Sequence, residues 1–149
     1  PIGTRPSEVL VTNDRKTAYV SVRNDNAIRI VDVSGDEPML GPLVPIGTQP
    51  DTLQLTNDGG TLVVGLRSAP QLAFMDTKTL AVREVTVATH GISGHEWLSA
   101  NGKFAFVALE SPGSLATIDV ETGLVLRDTP YPTRLPRPHG VFYEPRELR

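Results

Sequence analysis

The chain contains no cysteine. That excludes disulfides, thiolate chemistry and cysteine-based zinc sites, and it leaves the redox compartment open. No apolar run approaches the roughly 18 residues that a spanning helix needs, so no membrane span is expected. Positive charge is not in excess either: 14 Lys and Arg stand against 17 Asp and Glu, a formal net charge of −3. A field of that sign does not draw in a phosphate backbone, and no nucleic-acid partner is expected. The sequence opens "PIGTRP" with neither an initiator Met nor a signal peptide, which suggests a processed chain or a piece of a longer one. What remains is 149 residues, 39% of them hydrophobic. They are spread evenly enough to form one globular domain with a substantial core.

Helical periodicity is also missing, and a longer period takes its place. The segment from Arg5, "RPSEVLVTNDRKTAYVSVRNDNAIRIVDVS", aligns without gaps with the segment from Gln49, "QPDTLQLTNDGGTLVVGLRSAPQLAFMDTK". A third, "ISGHEWLSANGKFAFVALESPGSLATIDVE", follows from Ile92. Asp14, Asp58 and Asn101 mark the first turn; Val20, Val64 and Val107 follow; Asp32, Asp76 and Asp119 come near the end. "RPHGVFYEP", from Arg137, begins the pattern again.

Within each repeat the period is two. β-Branched runs such as "TAYVSV" and "TLVVGL" alternate with turn signals such as "NDGG" and "ANGK", which tolerate the positive φ of tight hairpins. Four antiparallel strands every 43 to 44 residues predict an all-β protein, a β-propeller of four-stranded blades. Blade 1 is expected over about 4–47, blade 2 over about 48–91, blade 3 over about 92–135, and the first strand of a fourth over 136–149. Three blades and a strand do not close a ring. The remaining blades of a longer chain, or a second copy, are needed to cover the open faces.

The "P-x-x-x-x-x-T-N-D" opening, the "aYVS" second strand and the "I-x-x-V-D" third strand resemble the YVTN-type β-propeller repeat. That repeat belongs to a seven-bladed group that includes surface-layer and lactonase-like propellers. The resemblance implies a binding or scaffold role on the loop face, or lactonase-like catalysis there, or a metal- or cofactor-bearing redox site. It also implies an extracytoplasmic location, periplasmic or secreted.

The stretch "THGISGHEW" holds His90, His95, Glu96 and Trp97. Aligned on the repeat, it is a blade-to-blade loop running into an inner strand, with His95 at the entrance of that strand and His139 in nearly the same place one blade on. At most two or three histidines converge there. Metal-binding propellers need three or four ligands, so neither a metal nor a cofactor is expected. Glu96 stands where the second repeat has Leu53, and a carboxylate buried there needs a partner, for which His95 or His139 is the candidate. Trp97 is expected to pack between blades.

Arg23, Arg67 and Glu110 form a polar column at the end of the second strands. They are suited either to an anionic ligand or to ion pairs between blades. The recurrence of Asp32, Asp76 and Asp119 in every blade marks them as Asx-type turn residues. No G-x-S-x-G elbow, P-loop, H-E-x-x-H or calcium loop is present, and no nucleophile can be named. The expected function is noncatalytic recognition of a protein, peptide, cell-surface or small-molecule ligand. Candidate contacts are Arg23, Arg67, His90, His95, Glu110 and His139. If the protein is an enzyme, His95, Glu96 and His139 would carry the chemistry.

Overall fold

The computed structural model describes residues 1–88, 91–111 and 113–131, and these residues form three four-stranded antiparallel sheets. The first contains β1 (Pro6–Val11), β2 (Thr17–Val22), β3 (Ala27–Asp32) and β4 (Met39–Pro45). The second contains β5 (Pro50–Leu55), β6 (Thr61–Leu66), β7 (Gln71–Asp76) and β8 (Val82–Thr86). The third contains β9 (Ile92–Leu98), β10 (Phe104–Ser111), β11 (Ser114–Asp119) and β12 (Val125–Pro130). Each sheet is a meander in sequence order, and β1, β5 and β9 lie side by side as the innermost strands. This is the blade architecture of a propeller. The expected opening strand of a fourth blade lies outside the described residues.

Local chemistry sets the hairpins. After each first strand a hydroxyl and an Asx side chain close the turn: Thr12 Oγ1 donates to Asp14 at 2.6 Å, Thr56 Oγ1 to Asp58 at 2.6 Å, and Ser99 Oγ to Asn101 at 2.8 Å. After each third strand Asp32, Asp76 and Asp119 accept backbone amides from Ser34, Thr79 and Thr122. These bonds replace ladder partners that the chain loses where it reverses. The bonds to Asp14, Asp58 and Asp119 hold those carboxyls below the usual range.

Period-two alternation sends each strand's side chains to both faces of its blade, so each pair of blades closes on a core. Between blades 1 and 2 that core contains Tyr19, Ile28, Val44, Leu53, Leu62, Val64 and Met75. Between blades 2 and 3 it contains Val63, Leu72, Phe74, Val107, Leu109 and Ile118. Leu53 in the first of these is 1% exposed, whereas Val9, its repeat equivalent on the outer face of blade 1, is 59% exposed. The difference shows that burial at this position comes from the neighbouring blade, not from the strand itself.

The loop joining β4 to β5, "PIGTQP", repeats "PIGTRP" at the start of the chain. Both loops turn through a left-handed residue ahead of proline: Arg5 at φ 59° and Gln49 at φ 51°. Each then meets the turn between the second and third strands. Arg23 N donates to Arg5 O and Arg67 N to Gln49 O, which gathers both loop types on one face of the blades.

Candidate functional site

On that face the inner strands carry one column whose side chains lean towards the following blade and one whose side chains lean back. Val9, Leu53 and Glu96 pair in register with Val20, Val64 and Val107, which fixes them as equivalent back-facing positions. Glu8, Thr52 and His95 precede them and face forward.

At the seam between blades 1 and 2 two guanidinium groups converge on one carboxylate. Asp51, at the start of β5, binds the guanidinium of Arg23 through Oδ1. Its Oδ2 lies 2.9 Å from Arg67 Nη1. Ser7 Oγ donates to Oδ1 at 2.5 Å, and Ser21 Oγ donates to the Asp51 carbonyl at 2.8 Å. Burial pushes the Asp51 carboxyl up, but the bonds from Ser7, Arg23 and Arg67 outweigh it and hold the group down at about 2. Beside it, Glu8 accepts the Leu53 amide at 3.3 Å. Its carboxyl is raised, first by burial and also by the nearby Asp51 charge; the Leu53 amide opposes the rise.

At the seam between blades 2 and 3 a carboxyl is buried with no guanidinium among the described residues bound to it. Glu96 is 1% exposed, and its Oε2 accepts a short hydrogen bond from Thr52 Oγ1. Its Oε1 is buried and has no hydrogen-bond partner. Gly65 makes the space. A Cβ there would collide with Thr52 Oγ1 and would lie 2.5 Å from Glu96 Oε2. Burial raises the Glu96 carboxyl to about 8 against the pull of Thr52 and the nearby Gly65 amide, so at neutral pH it is largely a neutral acid. Ser93 adds a second tie across this seam, donating to Leu66 O at 2.8 Å.

The candidates named from the sequence separate on this frame. Arg23 and Arg67 converge on Asp51 and serve as ion pairs between blades. The Arg67 side chain keeps 43% exposure against 19% for Arg23. His95 is exposed and is the fourth residue of β9, within the strand and not at its entrance. Alternation turns it to the opposite side of β9 from Glu96, and the hydroxyl on Glu96 belongs to Thr52, not to a histidine. Trp97 is half-buried. Glu110 sits near the end of β10, half-buried. His90 and His139 lie outside the described residues.

Sequence reasoning missed Asp51, Thr52, Glu8, Ser7 and Gly65. The signal was available, since residues one repeat apart are neighbours on adjacent inner strands. Asp51 therefore had to lie beside Ser7 and within reach of the arginine column. Among the described residues no group of three or more His, Asp or Glu is placed to hold a metal, and no helix is long and apolar enough to cross a membrane.

On the opposite face a cleft of about 740 Å³ lies between blades 2 and 3, lined by Asn57, Asp58, Arg83, Lys103, Asp119 and Glu121 among others. Arg83 spans this seam. It stacks over Phe74 at 4.3 Å and donates to Val120 O and, at 3.2 Å, to Glu121 O. Asp58 and Asp119 are occupied in their turns.

Solved structures with similar folds come from unrelated systems. Hydrazine synthase from Kuenenia stuttgartiensis matches with a TM-score of 0.75 at 20% identity, over 83% of this chain and 36% of that one. A Bacteroides uniformis protein provisionally named a 6-phosphogluconolactonase matches with a TM-score of 0.73 at 15% identity, over 85% and 41%. An inactive variant of virginiamycin B lyase from Staphylococcus aureus, solved with quinupristin, matches with a TM-score of 0.72 at 17% identity, over 88% and 43%. The chain thus spans well under half the length of these structures, and at such identities the likeness concerns fold alone. The search of curated proteins gave no match. A family model, by contrast, matches residues 1–146, in keeping with the YVTN-type repeat. The chain belongs to the YNCE-like β-propeller family.

Proposed function

We propose that this chain is part of a noncatalytic binding propeller whose loop face recognises an anionic group on a protein, peptide or cell-surface ligand. The observation that carries the reading is Arg67. Its guanidinium is anchored by Asp51 at 2.9 Å, yet 43% of the side chain stays open to solvent. A planar donor fork already held in place loses little freedom when a carboxylate or phosphate docks on it. The hydroxyls nearest the site point the same way. Ser7 and Thr52 each donate to a carboxyl group across a seam, so both are occupied in structure and neither is poised as a nucleophile.

Calorimetry of the full-length protein with peptides bearing a C-terminal carboxylate or a phosphate tests this. Arg67→Ala should weaken binding at least about tenfold, about 1.4 kcal/mol, while the melting temperature barely moves, because its ion pair is open to solvent and contributes little to stability. Peptide binding unchanged by Arg67→Ala would overturn the reading.

A second reading, lactonase-like catalysis, has His95 in its favour: an exposed imidazole on an inner strand. It also has the provisional name of one structural neighbour. Lactone ring opening that His95→Ala abolishes without loss of folding would install it in place of the first.

A further inference from the structure

The seam between blades 2 and 3 holds a group that ligand recognition does not use. Glu96 replaces the aliphatic residue of the repeat, sits 1% exposed opposite Val107 and against the β5–β6 hairpin, and leaves Oε1 buried without a hydrogen-bond partner among the described residues. Two residues of blade 2 accommodate it. Thr52 supplies the hydroxyl on Oε2, and Gly65, where the other blades have Ser21 and Ala108, supplies the room. A buried carboxyl in an aliphatic column, a hydroxyl on one of its oxygens and a glycine beside it make a built feature.

We propose that Glu96 is a proton-held latch: as a neutral acid it closes the seam between blades 2 and 3, and on losing its proton it loosens β9 from β5 and β6. The charged groups around it favour that behaviour. On β1, Glu8 raises its affinity for a proton by like-charge repulsion. On β5, Asp51 is negative, and Arg23 and Arg67 are already bound to it. Within its range β6 carries no charged residue, and β7 carries Asp76, at its last position and held in a turn. On β10, Glu110 sits near the strand end, and on β9 itself His95 faces away from Glu96. Among the described residues, an ionised Glu96 therefore gains no cation in place of its lost proton. Its buried charge is relieved by admitting water to the seam.

The carboxyl titrates near pH 8, and the sign follows. A carboxyl raised in the folded state stabilises the fold most below its unfolded value of 4.5. That contribution falls as pH rises from there to about 8. Above that range the native seam itself carries the charge.

Amide hydrogen exchange on the full-length protein at about pH 6 and about pH 10, corrected for the intrinsic base-catalysed rate, reads the latch. Peptides from β5, β6 and β9 should lose protection by at least about tenfold at the higher pH, and peptides from β1 should not. In Glu96→Gln the loss should vanish. Glu96→Leu, which restores the repeat's own residue, gives the same reading should the glutamine variant fail to fold. In the wild type an infrared carboxylic-acid band should persist at neutral pH and disappear in step with the loss of protection. No loss in the wild type, an equal loss in β1, or the same loss in both variants would overturn the proposal. None of these readouts involves a ligand, so binding through Arg67 and the latch stand or fall separately.

Discussion

The two inner seams solve one steric problem with opposite electrostatics. Both bring a carboxyl from a first strand into contact with the neighbouring blade. Asp51 meets two guanidinium groups and a serine and stays ionised down to about pH 2. Glu96 meets a threonine hydroxyl and a glycine and holds its proton to about pH 8. Asp51 sits two residues before the column that Glu96 shares with Val9 and Leu53, so the two carboxyls occupy different positions on equivalent strands, and their partners differ with them: arginines at one seam, a hydroxyl and the room left by Gly65 at the other. A first strand therefore brings a carboxyl to a seam without fixing its charge state, which its immediate partners decide.

The strongest way to break this comparison is to place the acid in the wrong seam. Leu53→Glu repeats the Glu96 substitution at the seam between blades 1 and 2. There Ser21 occupies the position of Gly65 and already donates to Asp51 O, so the new carboxyl finds neither room nor a free hydroxyl. Chemical denaturation of the full-length protein should show a loss on the order of 4 kcal/mol, as for a buried uncompensated charge. If Leu53→Glu were tolerated, the seams would not differ as described.

Next in size is Gly65→Ala. Its Cβ meets Thr52 Oγ1 and Glu96 Oε2 within contact distance, and the expected cost is about 2 kcal/mol. The penalty should shrink in a Thr52→Ala/Glu96→Ala background, because the atoms in the way are gone. An undiminished penalty in that background would assign the cost to the backbone instead.

Asp51→Asn comes third, at about 1.5–3 kcal/mol near neutral pH, the range for hydrogen bonds to a charged group. The pH dependence separates it from a packing effect. A carboxyl held below its unfolded value stabilises the fold above about 3.8 and loses that contribution as pH falls towards 2. Wild type should therefore lose stability through this acid window, and Asp51→Asn should lose less of it. The Glu96 dependence runs the other way and occupies the window above 4.5.

The fold was legible because its determinants are local and recur three times. Asp32, Asp76 and Asp119 are turn residues as their spacing predicts, and Thr12, Thr56 and Ser99 with their Asx partners close the first hairpins. Glu96 was legible as a departure from the column of Val9 and Leu53, but its partner was not. A search for charge complementarity selects a histidine, and a buried neutral acid needs only a hydroxyl. Asp51 escaped attention because it sits in a column with Ser7 and Gly94 that carries no pattern of its own. Its meaning appears only once adjacent inner strands are known to place residues one repeat apart side by side, as Ser7 and Asp51 are. Local chemistry was readable from the letters, and contacts across the seams required the blade geometry.

The smallest expected effect is also the most informative about function. Arg23 and Arg67 bind the same carboxylate from adjacent blades, with side chains 19% and 43% exposed. Were both purely structural, each should contribute to stability in keeping with its burial. Arg23→Ala is expected to cost about 1–2 kcal/mol, since it removes the more enclosed, two-nitrogen contact to Asp51 Oδ1. Arg67→Ala is expected to cost less than about 0.5 kcal/mol, because an open ion pair is screened and its side chain recovers its freedom. Added salt should erase the small Arg67 effect and spare most of the Arg23 effect. A cycle with Asp51→Asn measures each coupling separately. Equal couplings for the two arginines would make Arg67 a second bolt of the seam and remove the poised donor on which anion recognition depends. Unequal couplings would leave an arginine that the fold hardly needs, held in place at the loop face.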